Sequence, residues 1–277
     1  MQGDEQYEKT ASAHLLSLCE HSHLAFCFSP SARAFPFASP VHTHRERQSS
    51  LSPKPLSPEQ SRFVKECVNV EIHYPKKVAY LTFDDGPNKY TPHILSILKK
   101  EKAKATFFVI GSQVSRYPQT MRLILQHGHY LGLHSMSHNA GKLYNSDPEV
   151  LLTEMEQAKN IVASVTGVQT HLVRVPYGSK PYLKQPYRDA LANSHFKLWD
   201  WTIDTDDWKQ TQTASSLVKN VINQNRHNVE VILMHDSAVT VKALPNIIAF
   251  LRKSGYELLP YSPDHHVEVN FWNDERF

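Results

Sequence analysis

Two adjacent carboxylates, Asp84 and Asp85, stand at the end of the run Tyr80-Leu81-Thr82-Phe83 and just before Gly86 and Pro87. Neighbouring carboxylates repel each other and are costly to desolvate, so their placement where a buried strand stops implies a cation to bind or a proton to move. Taken alone, Asp-Asp-Gly-Pro is also an ordinary turn. Four further polar clusters weigh against the turn: His134-Ser135-Met136-Ser137-His138, Arg174-Val175-Pro176-Tyr177-Gly178, Asp204-Thr205-Asp206-Asp207-Trp208 and His235-Asp236.

His134 and His138 are four residues apart, a spacing that brings two imidazoles to one side of a helical turn. With one carboxylate they make the ligand count of a catalytic zinc site that keeps a position for water. Such an ion acidifies the water and polarises a carbonyl, which implies hydrolysis of an amide or ester. Adjacent side chains diverge in an extended backbone, so Asp84 is expected as the base beside a ligating Asp85 rather than as a second ligand. Arg174 would pair with Asp84, hold it ionised and lower its pKa. His235 would protonate the leaving amine, oriented by a carboxylate such as Asp207 that raises its pKa.

The elements that must position these groups alternate from Val70 onward. Apolar runs at Val78–Phe83, Ala105–Ile110, Tyr130–Leu133, His171–Val175, Phe196–Ile203, Val229–Met234 and Tyr256–Leu259 read as strands. Helical patterns lie near Thr91–Lys102, Tyr117–His127, Asp147–Thr166, Pro181–Ser194, Thr213–Arg226 and Val241–Ser254. Ser146-Asp147-Pro148-Glu149 opens the third of these helices and Thr166-Gly167 closes it. Such alternation calls for parallel strands with right-handed crossovers, in a seven-stranded barrel or an open doubly wound sheet. In either architecture function gathers at the C-terminal ends of the strands, and all five clusters follow strands.

The chain has 277 residues, 40% hydrophobic and 21% charged, which describes a globular protein with one α/β domain of about 200 residues and an appendage. A formal charge of +3 is too small to argue for a nucleic-acid partner. Residues 1–68 read as a low-complexity or disordered segment, rich in Ser, Pro and His from Ser29 to Ser61, and residues 69–277 as the catalytic domain. The opening Met-Gln-Gly-Asp-Glu-Gln lacks the basic start of a secretory signal, and no apolar run is long enough to span a bilayer. Cys19, Cys27 and Cys67 show neither zinc-ribbon nor redox spacing, so disulfides are not expected to organise the main domain.

In order, Thr82-Phe83-Asp84-Asp85-Gly86, the pair of histidines in His-Ser-x-x-His, Arg-x-Pro-Tyr-Gly, Asp-x-x-Asp-Trp and Leu-x-His resemble the five motifs of the polysaccharide deacetylases, the NodB-homology or carbohydrate esterase 4 family. The resemblance covers about Lys77 to Pro260. It implies a distorted (β/α)7 barrel and a Zn2+ ion, or another divalent transition metal such as Co2+, on Asp85, His134 and His138. It further implies Asp84 as general base tethered by Arg174, and His235 as general acid tethered by Asp207. The backbone N–H of Tyr177 would help hold the oxyanion. Trp208 and Leu233 would line the acetyl groove, and Pro176 belongs to the same implied substrate-binding set.

The implied activity is removal of N-acetyl groups from a glycan by a monomer. Arg-Val-Pro-Tyr-Gly-Ser is closer to the peptidoglycan N-acetylglucosamine deacetylases than to the N-acetylmuramic acid enzymes. A chitooligosaccharide deacetylase, a small-molecule N-acyl amidohydrolase and a non-catalytic glycan-binding homologue are the rival readings. Family members of this kind act on walls outside the membrane, so an extracytoplasmic location is implied although no export signal is visible.

Overall fold

The computed structural model describes residues 77–277, so the expectations for residues 1–68 and their three cysteines lie outside the described residues. The strands are β1 (Val78–Gly86), β2 (Ala105–Val109), β3 (Tyr130–Leu133), β4 (Leu172–Val173), β5 (Lys197–Leu198), β6 (Ile203–Asp204), β7 (Val229–His235) and β8 (Glu257–Leu258). All pair in parallel in the order β5-β4-β3-β2-β1-β7-β6, with β8 set against the first residues of β1. Crossovers run through α1 (Thr91–Lys100), α2 (Gly111–Val114), α3 (Pro118–Gln126), α4 (Ala140–Tyr144), α5 (Pro148–Thr166), α6 (Gln185–Asn193), α7 (Ala214–Gln224) and α8 (Ala238–Lys253).

Local chemistry sets the helix ends. The Asp147 carboxylate caps α5 by accepting from Glu149 N, Pro148 takes the first turn, and Gly167 closes the helix at φ +76°. Ser237 caps α8 by accepting from Thr240 N, which starts that helix three residues before the expected Val241. Helices α2 and α4 are too short to give a periodic signal and were not expected.

Phe196–Ile203, expected as one strand, is divided by the fold. Lys197 and Leu198 pair with β4, whereas Ile203 and Asp204 pair with β7. Residues 199–202 carry the chain between the two edges: Trp199 N donates to Val173 O at 2.8 Å, and Thr202 N donates to Val231 O at 2.9 Å. A single extended stretch thus serves both edges of the sheet and curls it into a distorted (β/α) barrel.

Alternation along β1 assigns its two faces. Ala79, Leu81 and Phe83 pack outward with Ile94, Leu98 and Ile248 of the helices, while Tyr80 joins Phe108, Leu172, Trp199, Val231 and Tyr261 in a separate inner cluster. Tyr80 and Tyr261 both meet the Trp199 ring edge-on, at centroid distances of 5.1 and 5.2 Å. This aromatic floor fills the barrel below the site, so the C-terminal ends of the strands are the place left for a ligand.

Candidate active site

Period-two spacing sends Tyr80, Thr82 and Asp84 to the same inner face, one above the other. Arg174, at the end of β4, is fully buried and stacks its guanidinium 4.2 Å above the Phe108 ring. Its Nη1 donates to Thr82 Oγ1 at 2.6 Å and to Asp84 Oδ1 at 2.9 Å. Its Nε and Nη2 donate to the carbonyls of Trp199 and Asp200 at 3.0 and 2.8 Å. With its donors spent in this way, the cation fixes the direction of Asp84 and leaves Oδ2 toward the cavity. Arg174 draws the Asp84 pKa down as expected, but it does not set the net direction. Burial raises the carboxyl above its ordinary value, with Arg174 opposing it.

Plain alternation would turn Asp85 outward. Instead the β1–β2 register shifts between Asp84 and Gly86, and Asp85 sits at φ +69°. This bulge brings two consecutive aspartates to one cavity. Ser135, His138, Tyr177 and Asp206 are likewise left-handed without being glycine, at φ +62°, +55°, +67° and +61°. Each such residue costs about 1–3 kcal/mol and persists only where its surroundings over-determine it.

Asp85, His134 and His138 converge as the sequence suggests. Asp85 Oδ1 lies 3.5 Å from His134 Nε2 and 3.3 Å from His138 Nε2, and the three donor atoms fit within 4.8 Å of one another. His134 Nδ1 donates to the Arg174 carbonyl at 2.6 Å, which fixes the tautomer and leaves the Nε2 lone pair facing Asp85. Burial holds the His134 pKa down to about 3, so the ring is neutral as a ligand must be. Asp85 Oδ1 is buried without a hydrogen-bond partner, an arrangement that a cation between the three atoms would relieve. The donor set fits a divalent transition metal.

Across the β1–β7 register, Asp84 is paired with His235. His235 Nδ1 donates to Asp207 Oδ1 at 2.7 Å, and its backbone N donates to Asp207 Oδ2 at 2.7 Å. Thr240 Oγ1 also donates to Oδ2. Burial pulls the imidazole pKa down, but the Asp207 hydrogen bond and charge outweigh it, with Asp84 and Asp85 adding, and push it up to about 9. The ring is therefore poised as an acid whose Nε2 is left for the cavity.

The cavity measures about 350 Å³ and brings together Asp84, Asp85, His134, His138, Tyr177, Trp208, Leu233 and His235. Pro176 lies outside this lining; it is buried, and its carbonyl accepts from Tyr144 Oη at 2.6 Å. Tyr182 stacks on Tyr144 at 4.9 Å and meets the Tyr177 ring edge-on at 6.4 Å. Tyr177 and Trp208 are more than half exposed and stand open to a ligand. Trp201 and Asp204 also line the cavity, and sequence reasoning gave them no role. The Asp204 carboxylate accepts from Asp206 N at 2.7 Å and from Trp208 Nε1 at 3.5 Å, which ties the aromatic to the loop. Only the second Asp in Asp-x-x-Asp-Trp had been singled out, and the first is the one that could have signalled this contact.

Residues 71–197 match the family model described as polysaccharide deacetylase. A peptidoglycan-N-acetylglucosamine deacetylase of Bacillus cereus is 43% identical over 207 residues, 73% of this chain and 75% of that protein. The peptidoglycan-N-acetylmuramic acid deacetylase PdaC of Bacillus subtilis is 37% identical over 196 residues, 70% of this chain and 40% of that protein. The crystal structure of the polysaccharide deacetylase Bc1974 from Bacillus cereus aligns with a TM-score of 0.69 at 43% identity, covering 73% of this chain and 100% of that one. Sequence and barrel therefore agree, and the chain belongs to the polysaccharide deacetylase family of hydrolases, the NodB-homology or carbohydrate esterase 4 group.

Proposed function

We propose that the protein is a metal-dependent deacetylase that removes the acetyl group from N-acetylglucosamine residues of peptidoglycan and releases acetate. The observation that carries this reading is the meeting of two ion-paired dyads and three ligand atoms in one cavity. Asp84, ion-paired with Arg174, and His235, ion-paired with Asp207, stand in register on adjacent strands, beside the donor atoms of Asp85, His134 and His138. The peptidoglycan preference draws on the relatives' names and on Tyr177, which occupies the position after Pro176 in the Arg-Val-Pro-Tyr-Gly motif.

A zinc ion, or another divalent transition metal such as cobalt, held by Asp85, His134 and His138 would supply a Lewis acid that acidifies water and polarises the acetyl carbonyl. The chain's own groups move the protons. Asp84 Oδ2 takes the proton of the water that adds to the acetyl carbon, while Arg174 keeps the carboxylate aimed. The Tyr177 backbone N–H is assigned to the oxyanion that develops on the carbonyl oxygen. His235 Nε2 then gives its proton to the glucosamine nitrogen as the C–N bond breaks, and acetate and a free amine leave. Trp208 and Leu233 form the groove for the acetyl methyl group.

A wall substrate puts the enzyme outside the membrane, which is the location proposed. Among the described residues no helix is long and apolar enough to cross one. The substrate is tested by acetate release from peptidoglycan strands, chitin oligomers and small N-acetyl compounds at equal acetyl concentration. The expected order places peptidoglycan strands first in kcat/KM. A tenfold preference for either other class would overturn the assignment.

A further inference from the structure

Helix α5 carries a carboxylate where its pattern calls for an apolar side chain. Leu151, Met155, Ala158 and Val162 are buried along it, and Glu154 falls among them with its side chain only 1% exposed. A buried charge is costly unless it is paired and hydrogen-bonded, and every partner found for Glu154 lies in or beside one short turn. Glu154 Oε2 accepts from the backbone N–H groups of Met136 and Ser137, at 3.2 and 2.9 Å. Ser137 Oγ donates to both carboxylate oxygens, at 2.8 and 2.9 Å. Lys142 Nζ, from α4, pairs with Oε1 at 2.7 Å.

That turn is the link between His134 and His138, and it is not a relaxed one. Ser135 and His138 are both left-handed. On its other side the turn is held by Gly111 N and Ser112 N at the start of α2, which donate to Ser135 O and Met136 O at 2.9 and 3.1 Å. Within it, His138 N donates to Ser135 Oγ at 2.9 Å. The Ser135 and Met136 carbonyls are thus held by α2 and the Met136 and Ser137 N–H groups by Glu154, which fixes the backbone that carries the His138 ring.

We propose that Glu154 is a positioning residue for the metal site: it clamps the 135–138 turn so that His138 Nε2 meets Asp85 and His134, and its loss weakens metal binding before it weakens the fold. This rests on the metal reading given above. Glu154→Gln keeps the shape, but it removes the charge that holds the two backbone N–H groups, and an amide nitrogen in place of Oε1 meets Lys142 Nζ donor to donor.

The test is zinc affinity of the full chain, measured by competition with a chromophoric chelator, for the wild type, Glu154→Gln and Ser137→Ala. Glu154→Gln is expected to bind Zn2+ about 10–100-fold more weakly, as other residues that orient metal ligands do. The metal-free variant should keep the wild-type circular dichroism, and saturating zinc should restore kcat to within about threefold with KM unchanged. Ser137→Ala, which removes only the hydroxyl, should weaken zinc binding about fivefold. A folded Glu154→Gln protein with wild-type zinc affinity overturns the proposal. Should that variant be insoluble, wild-type affinity in Ser137→Ala overturns it. A wild-type chain that binds no zinc would bring down the metal reading itself, and this inference with it.

Discussion

Replacing Asp207 by Asn removes one negative charge from behind His235 while keeping a side chain of the same shape. Asp207 holds His235 through Nδ1 and through its backbone N–H, and the imidazole stands at about 9 against an ordinary value of 6.5. At 1.36 kcal/mol per pH unit, that preference for imidazolium amounts to about 3 kcal/mol. Without the charge, burial is left to act and the pKa should return to about 6.5 or below. At pH 6 the protonated fraction would then change by less than about twofold, whereas at pH 8 it would fall about thirtyfold. The loss in kcat/KM on a soluble N-acetylglucosamine oligomer should therefore grow with pH, and the basic limb should move down by about 2.5 units or more. A divalent cation in the cavity lowers the limb of both proteins, but the displacement between them remains.

Linkage gives the same group a second readout. Because the folded pKa is the higher one, the stabilisation is fully present below about 6.5 and is lost as pH rises through about 9. The wild type should lose its thermal advantage over Asp207→Asn across that window. A basic limb that stays in place in Asp207→Asn, or that survives in His235→Ala with most of the activity, would refute His235 as the acid.

The roles of the two aspartates separate in simpler measurements. Asp85→Ala and His134→Ala should each abolish zinc retention after dialysis, since each removes one of three donors within 4.8 Å, and full occupancy in both would be incompatible with the site. Asp84→Asn should retain zinc while its rate falls about 10²–10⁴-fold. That variant should also melt earlier, because Arg174 loses a buried partner worth about 3–5 kcal/mol. Zinc loss in Asp84→Asn would mean the roles are exchanged. Deleting residues 1–60 should leave kcat/KM on a soluble oligomer within about twofold, since the site residues all lie beyond Phe83, and a tenfold drop would contradict this.

Much of this site is legible in the sequence because its groups follow strands whose periodicity is clear. Val78–Phe83 and Val229–Met234 announce β1 and β7, and once those two strands pair in register Asp84 and His235 must be neighbours. What the sequence hides is set by backbone geometry and burial. Regular alternation would send Asp85 away from the cavity, and only the register shift returns it. Phe196–Ile203 has one continuous pattern, so nothing local shows that its halves pair with opposite edges. The arginine that lowers the Asp84 pKa is visible in a motif, whereas the burial that outweighs it is a property of the closed barrel. Glu154 is hidden because it stands with Glu156 and Lys159 as one of three charges between Leu151 and Val162, and nothing local marks it as the buried one until α5 is docked.

The central claim is that this cavity hydrolyses the amide of N-acetylglucosamine in peptidoglycan. It is met most directly by incubating purified glycan strands with the zinc-loaded full chain and counting acetate and newly freed glucosamine amines together. The account predicts that the two appear one for one, and that both cease in Asp84→Asn protein at the same zinc content. Acetate without new amines would mean that an ester and not the amide is cleaved, and strands left fully acetylated by the zinc-loaded enzyme would contradict the account outright.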